Sequence, residues 1–264
     1  MEKLFVIKIG GNVIDNDDAL DAFLKRFASI QAPRILIHGG GKIATRFGEK
    51  LGIESKYVNG RRITDDQTID LVTMVYGGLV NKKIVAALQA MGCNAIGLTG
   101  ADANLIPAVK RPVKDVDFGW VGDIPSEKIN AEPARKLLQQ GWVPVVAPLT
   151  HDTNGHILNT NADTIASVLA VGLSAWYDVR LVYCFEKKGV LEDVENDDSV
   201  VRLITPTIYD KLKAGNRLFA GILPKIDNAF AAIEAGVGEV LIGHADDLLT
   251  NTGTETSGTL IRRS

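Results

Sequence analysis

A largely parallel β-sheet with helices on both faces is the fold class this chain predicts, and three observations carry the prediction. Short β-rich runs alternate with segments whose apolar residues recur at helical spacing. The first two units are built alike: a strand ends in glycines, Gly10-Gly11 in one case and Gly39-Gly40-Gly41 in the other, and a helical pattern follows. With 264 residues, 46% of them hydrophobic, the chain can bury the core of one large α/β domain or of two lobes sharing a sheet.

Taken in order, residues 4–9 are the first strand, and a helix over 17–30 sets Leu20, Phe23, Leu24 and Phe27 at helical spacing. Residues 34–38 repeat the strand and feed the triple glycine, with a helix from about 42 to 51. Residues 57–64 read as a hairpin turning at Asn59-Gly60. A long helical pattern over 66–91, capped by Thr64 or Asp65 and relieved by Gly77-Gly78, has small residues at its middle and suits a dimer face. Residues 93–98 form a strand. The stretch 104–125, broken by Pro107, Pro112 and Pro125, is expected to make hairpins covering a site. A helix over 131–140 leads into a buried strand over 142–147. After a polar turn at 151–156 come a helix ending near 173, a strand over 178–185, helices over 206–214 and 223–235, and strands over 239–242 and 258–261. No low-complexity linker divides the chain, so 1–264 reads as a single domain with lobes of about 1–150 and 151–264.

Composition narrows the partners. A net charge of −3 and a pI near 5.8 leave no basic face for nucleic acid. Two cysteines, Cys93 and Cys184, give neither a disulfide framework nor metal-ligand spacing, and agree with a reducing, cytosolic setting. The four histidines form no metalloenzyme pattern; His151 and His156 decorate a turn. No apolar run reaches membrane-span length, and the first residues enter a strand without signal-peptide regions.

The triple glycine between a strand and a helix N-terminus presents backbone N–H groups to an anion, whether a phosphate, a carboxylate or a pyrophosphate. Gly41-Lys42 imitates the end of a P-loop, but Leu36 stands where its first glycine belongs and Ile43 where its hydroxyl belongs. The spacing Gly39-x-Gly41-x-x-Ala44 fits a dinucleotide fingerprint, yet the acidic residue about twenty positions on is replaced by Asn59-Gly60-Arg61-Arg62. Lys8 is a lone charge in an apolar run at the ligand-binding end of the first strand. Arg61 and Arg62 can fork onto a carboxylate. Asn159, Asn161 and Asp163 alternate where a strand meets a helix, with Asn161 also a helix cap. Lys225 follows Pro224 at a helix start, where a cation is disfavoured, and a local conflict of that kind marks function. The set has lysines, an arginine, an aspartate and anion-binding glycines but no nucleophile–base pair. Phosphoryl transfer to a carboxylate fits it, because such an acceptor, with a pKa of about 4, is already ionised and needs only charge neutralisation and alignment.

These residues bring out a likeness. In Lys8-Ile9-Gly10-Gly11, His38-Gly39-Gly40-Gly41, Asn59 to Thr64, Val80-Asn81-Lys82, Gly119-Trp120-Val121-Gly122, Asn159 to Asp163 and Gly221 to Lys225, the chain resembles the N-acetylglutamate kinases of the amino-acid kinase superfamily, nearly end to end. The resemblance implies a three-layer αβα sandwich on a mostly parallel eight-stranded sheet, with the N-terminal lobe binding the acyl-glutamate and the C-terminal lobe binding ATP with Mg2+. It implies that Lys8 and Lys225 stabilise the transferring phosphoryl group and Asp163 orients both. Gly11, Gly40 and Gly41 would offer N–H groups to phosphate and substrate, Arg62 would hold the α-carboxylate, and Asn159 the amino-acid portion. Glu186 and Gly189 would fall at the nucleotide, and no metal site of the protein's own is implied. The product would be an acylglutamyl 5-phosphate of arginine biosynthesis, made by a cytoplasmic, arginine-insensitive homodimer joined through the 66–91 helix, without nucleic-acid or membrane partners.

Two departures stand out. Where the family has Thr-Asp-Val-x-Gly-Val, this chain has Phe185-Glu186-Lys187-Lys188-Gly189-Val190, and Ala220-Gly221 replaces Gly-Gly. The 104–125 hairpins, with Lys110, Arg111 and Lys114, suit an acetyl or a succinyl group alike. Kinases of the same superfamily acting on aspartate, carbamate or UMP, and a non-catalytic amino-acid sensor, are the competing classes.

Overall fold

The computed structural model describes residues 1–125, 129–193, 195–215, 218 and 221–264. Its first half runs β1 (Lys3–Ile9), α1 (Gly11–Asp15), α2 (Asp17–Ser29), β2 (Arg34–His38), α3 (Gly41–Leu51), β3 (Tyr57–Val58), β4 (Arg61–Arg62) and α4 (Asp66–Val72). A π-helical stretch (Thr73–Val80) then leads to α5 (Asn81–Ala90), β5 (Ala95–Leu98), β6 (Val109–Lys110), β7 (Gly122–Asp123), α6 (Glu132–Gln139) and β8 (Val143–Val146). The rest comprises β9 (Leu149–His151), β10 (Ile157–Asn159), α7 (Ala162–Leu173), β11 (Asp178–Phe185), β12 (Leu203–Ile204), α8 (Pro206–Ala214), α9 (Leu223–Glu234), β13 (Glu239–His244), α10 (Leu248–Thr252) and β14 (Thr259–Ile261).

Eight strands make the central sheet in the order β12-β14-β13-β11-β1-β2-β8-β5. Neighbours from β13 to β5 are parallel, while β14 runs antiparallel to β13 and carries β12 with it. Side chains alternate across β1, and the two faces therefore seed two cores. Leu4 and Val6 join Ile165, Leu169, Ile226 and Ile233 under α7 and α9. Phe5, Ile7 and Ile9 join Phe23, Phe27, Leu71, Ile84 and Leu88 under α2, α4 and α5. The result is the mostly parallel, helix-covered three-layer architecture that the alternation predicts.

Several local readings gain a physical reason. Asn16 caps α2 by accepting from Ala19 N at 3.0 Å, and Asp65, rather than Thr64, caps α4 by accepting from Thr68 N at 2.9 Å. The 66–91 pattern is one 25-residue helix, Asp66–Ala90, whose middle widens to π geometry around Gly77 and Gly78. By length and composition alone this helix could cross a membrane, contrary to the expectation that no run is long enough, but Leu71, Val72, Val75, Tyr76, Val80, Ile84 and Leu88 are buried in the core. The short helix α1 directly after Gly10, the five-residue α10 and the two-residue β12 were not legible in the apolar pattern, being too short to show a period.

Candidate active site

Leaving β1, the chain moves to β2 on one side of the sheet, and β11 later returns on the other, so the C-terminal ends of these three strands flank a switch point where α/β folds bind ligands. There the structure opens a cavity of about 560 Å3 walled by the 39–41 glycines, Arg61, Arg62, Arg111, Asn159 and Asp163.

The end of β1 and β2 is braced from within. Lys8 lies on the Leu4 and Val6 face, beneath the N-terminus of α7, and its side chain is only 10% exposed. Its Nζ is 2.9 Å from Asp163 Oδ1. Asp163 is fixed in turn: the Asn161 side chain caps α7 by accepting from Asp163 N at 2.8 Å and Thr164 N at 3.1 Å, and Tyr183 Oη donates to Asp163 O at 3.3 Å. Burial, with the Asp163 charge adding to it, pushes the Tyr183 phenol well above its ordinary range. Gly40 adopts φ +151°, and a Cβ there would lie 3.0 Å from the Tyr76 ring, so the turn requires glycine. His38 is fully buried, and burial lowers its pKa to about 4, which keeps it neutral. The neutral ring contacts Gly39 O through Nδ1 at 2.7 Å and Asn81 Nδ2 through Nε2 at 3.2 Å, so Nδ1 donates and Nε2 accepts. Asn81 also donates to Val145 O at 2.9 Å.

Arg62, 7% exposed, donates through Nη2 to Gly41 O at 2.8 Å and Thr45 Oγ1 at 2.9 Å, donates through Nη1 to Ser55 Oγ, and covers the Tyr57 ring at 4.8 Å. It therefore lines the cavity and holds the glycine turn at once. Asn159 Nδ2 donates to Thr64 Oγ1 at 3.0 Å. The Gly119-Trp120-Val121 segment threads between these two residues: Trp120 N donates to Thr64 O at 2.6 Å, and Asn159 N to Trp120 O at 2.8 Å. A Cβ at Gly119 would fall 2.1 Å from Thr64 O, so only glycine fits.

The end formed by β11 and α9 is built differently. Lys225 sits half-buried in the first turn of α9, and among the described residues no carboxylate lies within ion-pair distance of it. Its Nζ is instead 3.5 Å from the centroid of the Phe185 ring, which also lies 5.4 Å from Lys8 Nζ. Burial depresses the Lys225 pKa, the Asp163 charge works against that, and the Lys8 charge adds to it.

The remaining candidates are scattered. Gly11 begins α1 beside Asp15, whose carboxyl is raised by burial, and is not part of the cavity wall. Glu186 is exposed, and Gly189 is buried against Thr259 and Val200; neither lines the cavity. Lys187 and Lys188 pair with Asp197 and Asp198 at 2.8 and 2.7 Å. Ala220 lies outside the described residues. Among the three basic residues of the hairpins, Arg111 reaches the wall, forked onto Asp123 at 2.6 Å and stacked on Phe118; Lys110 covers the Trp120 ring at 3.9 Å, and Lys114 lines a neighbouring depression. The contributions of His38, Tyr76 and Phe185 escaped the sequence reading, since each acts through a contact made only in three dimensions.

Chemically, the arrangement offers helix and turn N–H groups, two lysines and an arginine to anions, with one carboxylate committed to a lysine. No group of three or more His, Cys, Asp or Glu that could hold a metal occurs among the described residues.

The model of the amino acid kinase family matches residues 3–244. The chain is 57% identical to an acetylglutamate kinase of Cytophaga hutchinsonii over 250 residues, covering 94% of each. It is 55% identical to one from Phocaeicola vulgatus over 262 residues, covering 99% of each. Among solved structures, an N-acetylglutamate synthase from Neisseria gonorrhoeae complexed with coenzyme A and N-acetyl-glutamate superposes with a TM-score of 0.81 at 22% identity, over 100% of this chain and 60% of the other. A carbamate kinase from Giardia lamblia bound to AMP-PNP gives 0.68 at 13% identity, over 100% and 99%. These two likenesses concern the fold.

Proposed function

This chain belongs to the amino acid kinase family, and from that premise we propose that it transfers the γ-phosphoryl group of ATP to the side-chain carboxylate of N-acetyl-L-glutamate, a step of arginine biosynthesis. The observation that carries the chemistry is the Lys8–Asp163 pair, a 2.9 Å contact set at the switch point beside the glycine turns. The acceptor is already an anion and needs no base. What opposes reaction is repulsion between two anions and the charge spread over the phosphoryl oxygens in the transition state. Lys8, pre-aligned by Asp163, and Lys225 neutralise that charge, and N–H groups of the glycine turns add fixed dipoles. Arg62 of the N-terminal lobe, about residues 1–150, and Asn159, just past that boundary, hold the acyl-glutamate on the cavity wall. ATP lies on the β11 and α9 side, with Glu186 and Gly189 at its margin and Gly11 toward the phosphates. Mg2+ would enter with the nucleotide as part of the substrate, and among the described residues of the cavity wall the one carboxylate, Asp163, is paired with Lys8.

The exposed Met74 and Leu79 on the Asp66–Ala90 helix support a homodimer through that helix, which light scattering on Met74→Glu and Leu79→Glu variants will test by loss of the dimer. Two buried free thiols agree with a cytoplasmic setting.

A coupled ADP-release assay with hydroxylamine trapping of the acyl phosphate tests the assignment. Turnover of N-acetyl-L-glutamate is expected, with N-succinyl-L-glutamate as the comparison for the acyl end. Turnover of neither, or preference for aspartate, carbamate or UMP, would overturn it.

A further inference from the structure

Phe185 ends β11 stacked on Tyr183, which lines the cavity, and two cations share its ring: Lys225 Nζ at 3.5 Å from the centroid and Lys8 Nζ at 5.4 Å. At 3.5 Å an ammonium sits directly on the electron-rich face, the geometry of a strong cation–π contact. The ring is itself supported. Tyr183, two residues earlier on the same strand face, stacks on it at 6.1 Å with planes 21° apart, and Tyr183 Oη donates to Asp163 O. Aromatic plate and lysine-holding aspartate are thus linked through one side chain. The groups facing Lys225 are Asp163 from α7, Lys8 from β1 and the Phe185 ring with Tyr183 behind it from β11.

Resting on the kinase reading above, we propose that Phe185 is a positioning residue that holds Lys225 charged and aimed into the crevice before the phosphates arrive. Among the described residues that line the cavity the one carboxylate, Asp163, is engaged by Lys8, so Lys225 needs another counterweight, and a ring serves better than a second carboxylate. An ammonium paired to a carboxylate must break a charge-assisted bond to reach a phosphate oxygen, and the extra negative charge repels the phosphates. A ring holds the ammonium more weakly, carries no net charge and releases it to the incoming oxygen. The depression of the Lys225 pKa by burial fits this reading, since a lysine so placed needs a partner to keep its proton.

The test replaces Phe185 by Leu and by Trp, and by phenylalanines of increasing fluorination, which keep the shape of the ring while draining its negative face. Loss of a desolvated contact of this class should lower kcat by roughly tenfold in Phe185→Leu, with KM for the acyl-glutamate unchanged, and move the alkaline limb of the kcat profile down by about one pH unit. Phe185→Trp should restore kcat, and kcat should fall stepwise along the fluorinated series, whose members fold alike. In a Lys225→Ala background the Phe185→Leu change should have no further effect. Full kcat in the fluorinated proteins, or an equal loss with and without Lys225, would overturn the proposal. Lysine NMR titration of the substrate-free protein reads the Lys225 pKa independently of any acceptor: a fall in Phe185→Leu supports the role, and no change refutes it even where the substrate assignment stands.

Discussion

The two lysines that share the Phe185 ring occupy opposite kinds of surroundings. Lys8 stands on a central strand, paired with Asp163 at 2.9 Å, at an end of the sheet where His38, Asn81 and Arg62 tie the neighbouring glycine turn to the core. Lys225 stands at the start of a helix, against the favourable direction of the helix dipole, with an aromatic face as its support. The first region is organised before any ligand arrives. On the proposed function the second would be completed by phosphate oxygens, which would supply the negative charge that the helix start and the burial both call for. A phosphotransferase needs both kinds of site: a rigid one to align two anions, and a yielding one to follow charge as it moves.

The contrast can be broken at several points. Lys8→Ala should cost most, about a thousandfold in kcat, because it removes an aligned charge and leaves Asp163 without its partner; a loss comparable to that of Lys225→Ala in steady-state turnover would erase the distinction. Next in size is an acid sensitivity built into the braced end. The folded pKa of His38, about 4, lies below its ordinary value of 6.5, so unfolding takes up a proton between these limits. Stability is whole above about pH 6.5 and falls as pH drops toward about 4, by up to about 3 kcal/mol. Urea melts across this range should show the slope, and His38→Gln should flatten it. Lys225→Ala should lower kcat by about a hundredfold, with only a small fall in melting temperature, since one cation–π contact and, among the described residues, no ion pair is lost; marked destabilisation would show that this end is braced after all. The smallest effect expected is Arg62→Lys. A lysine keeps the charge but cannot make the fork to Gly41 O and Thr45 Oγ1, and KM for the acyl-glutamate should rise by about tenfold with kcat nearly held.

The braced region was the more legible one in the sequence. Lys8 betrayed itself as a charge inside an apolar run, the glycines as a turn with more freedom than a turn needs, and Asn161 as a cap, each a local signal read along the chain. Asp163 lay at the right position for a helix start, but its partner, 155 positions away, came only from the resemblance and then from the coordinates. Phe185 showed only as a departure from the family's Thr-Asp-Val-x-Gly-Val stretch, with no role attached, because its contact depends on where α9 brings Lys225. Glu186 and Gly189, carried over from a motif this chain alters, do not line the cavity, and neither do Lys8 and Lys225, so their place at the nucleotide rests on the resemblance. The sheet itself was readable because its strands are long and apolar, whereas α10 and β12 are defined by what they pack against.

The Gly119 crossing has a consequence for how such a site can change. Thr64, Trp120 and Asn159 belong to three segments far apart in sequence, yet their backbones are stitched into one ribbon beside the cavity. The loop between Arg111 and Phe118 hangs from this ribbon with both roots clamped, Arg111 N on Val121 O at 2.8 Å and Thr64 N on Phe118 O at 2.9 Å. Residues 112–117 are thus held only at their two ends, so their length and chemistry can vary while the hydrogen-bonded seam of Thr64, Trp120 and Asn159 beneath them stays unchanged.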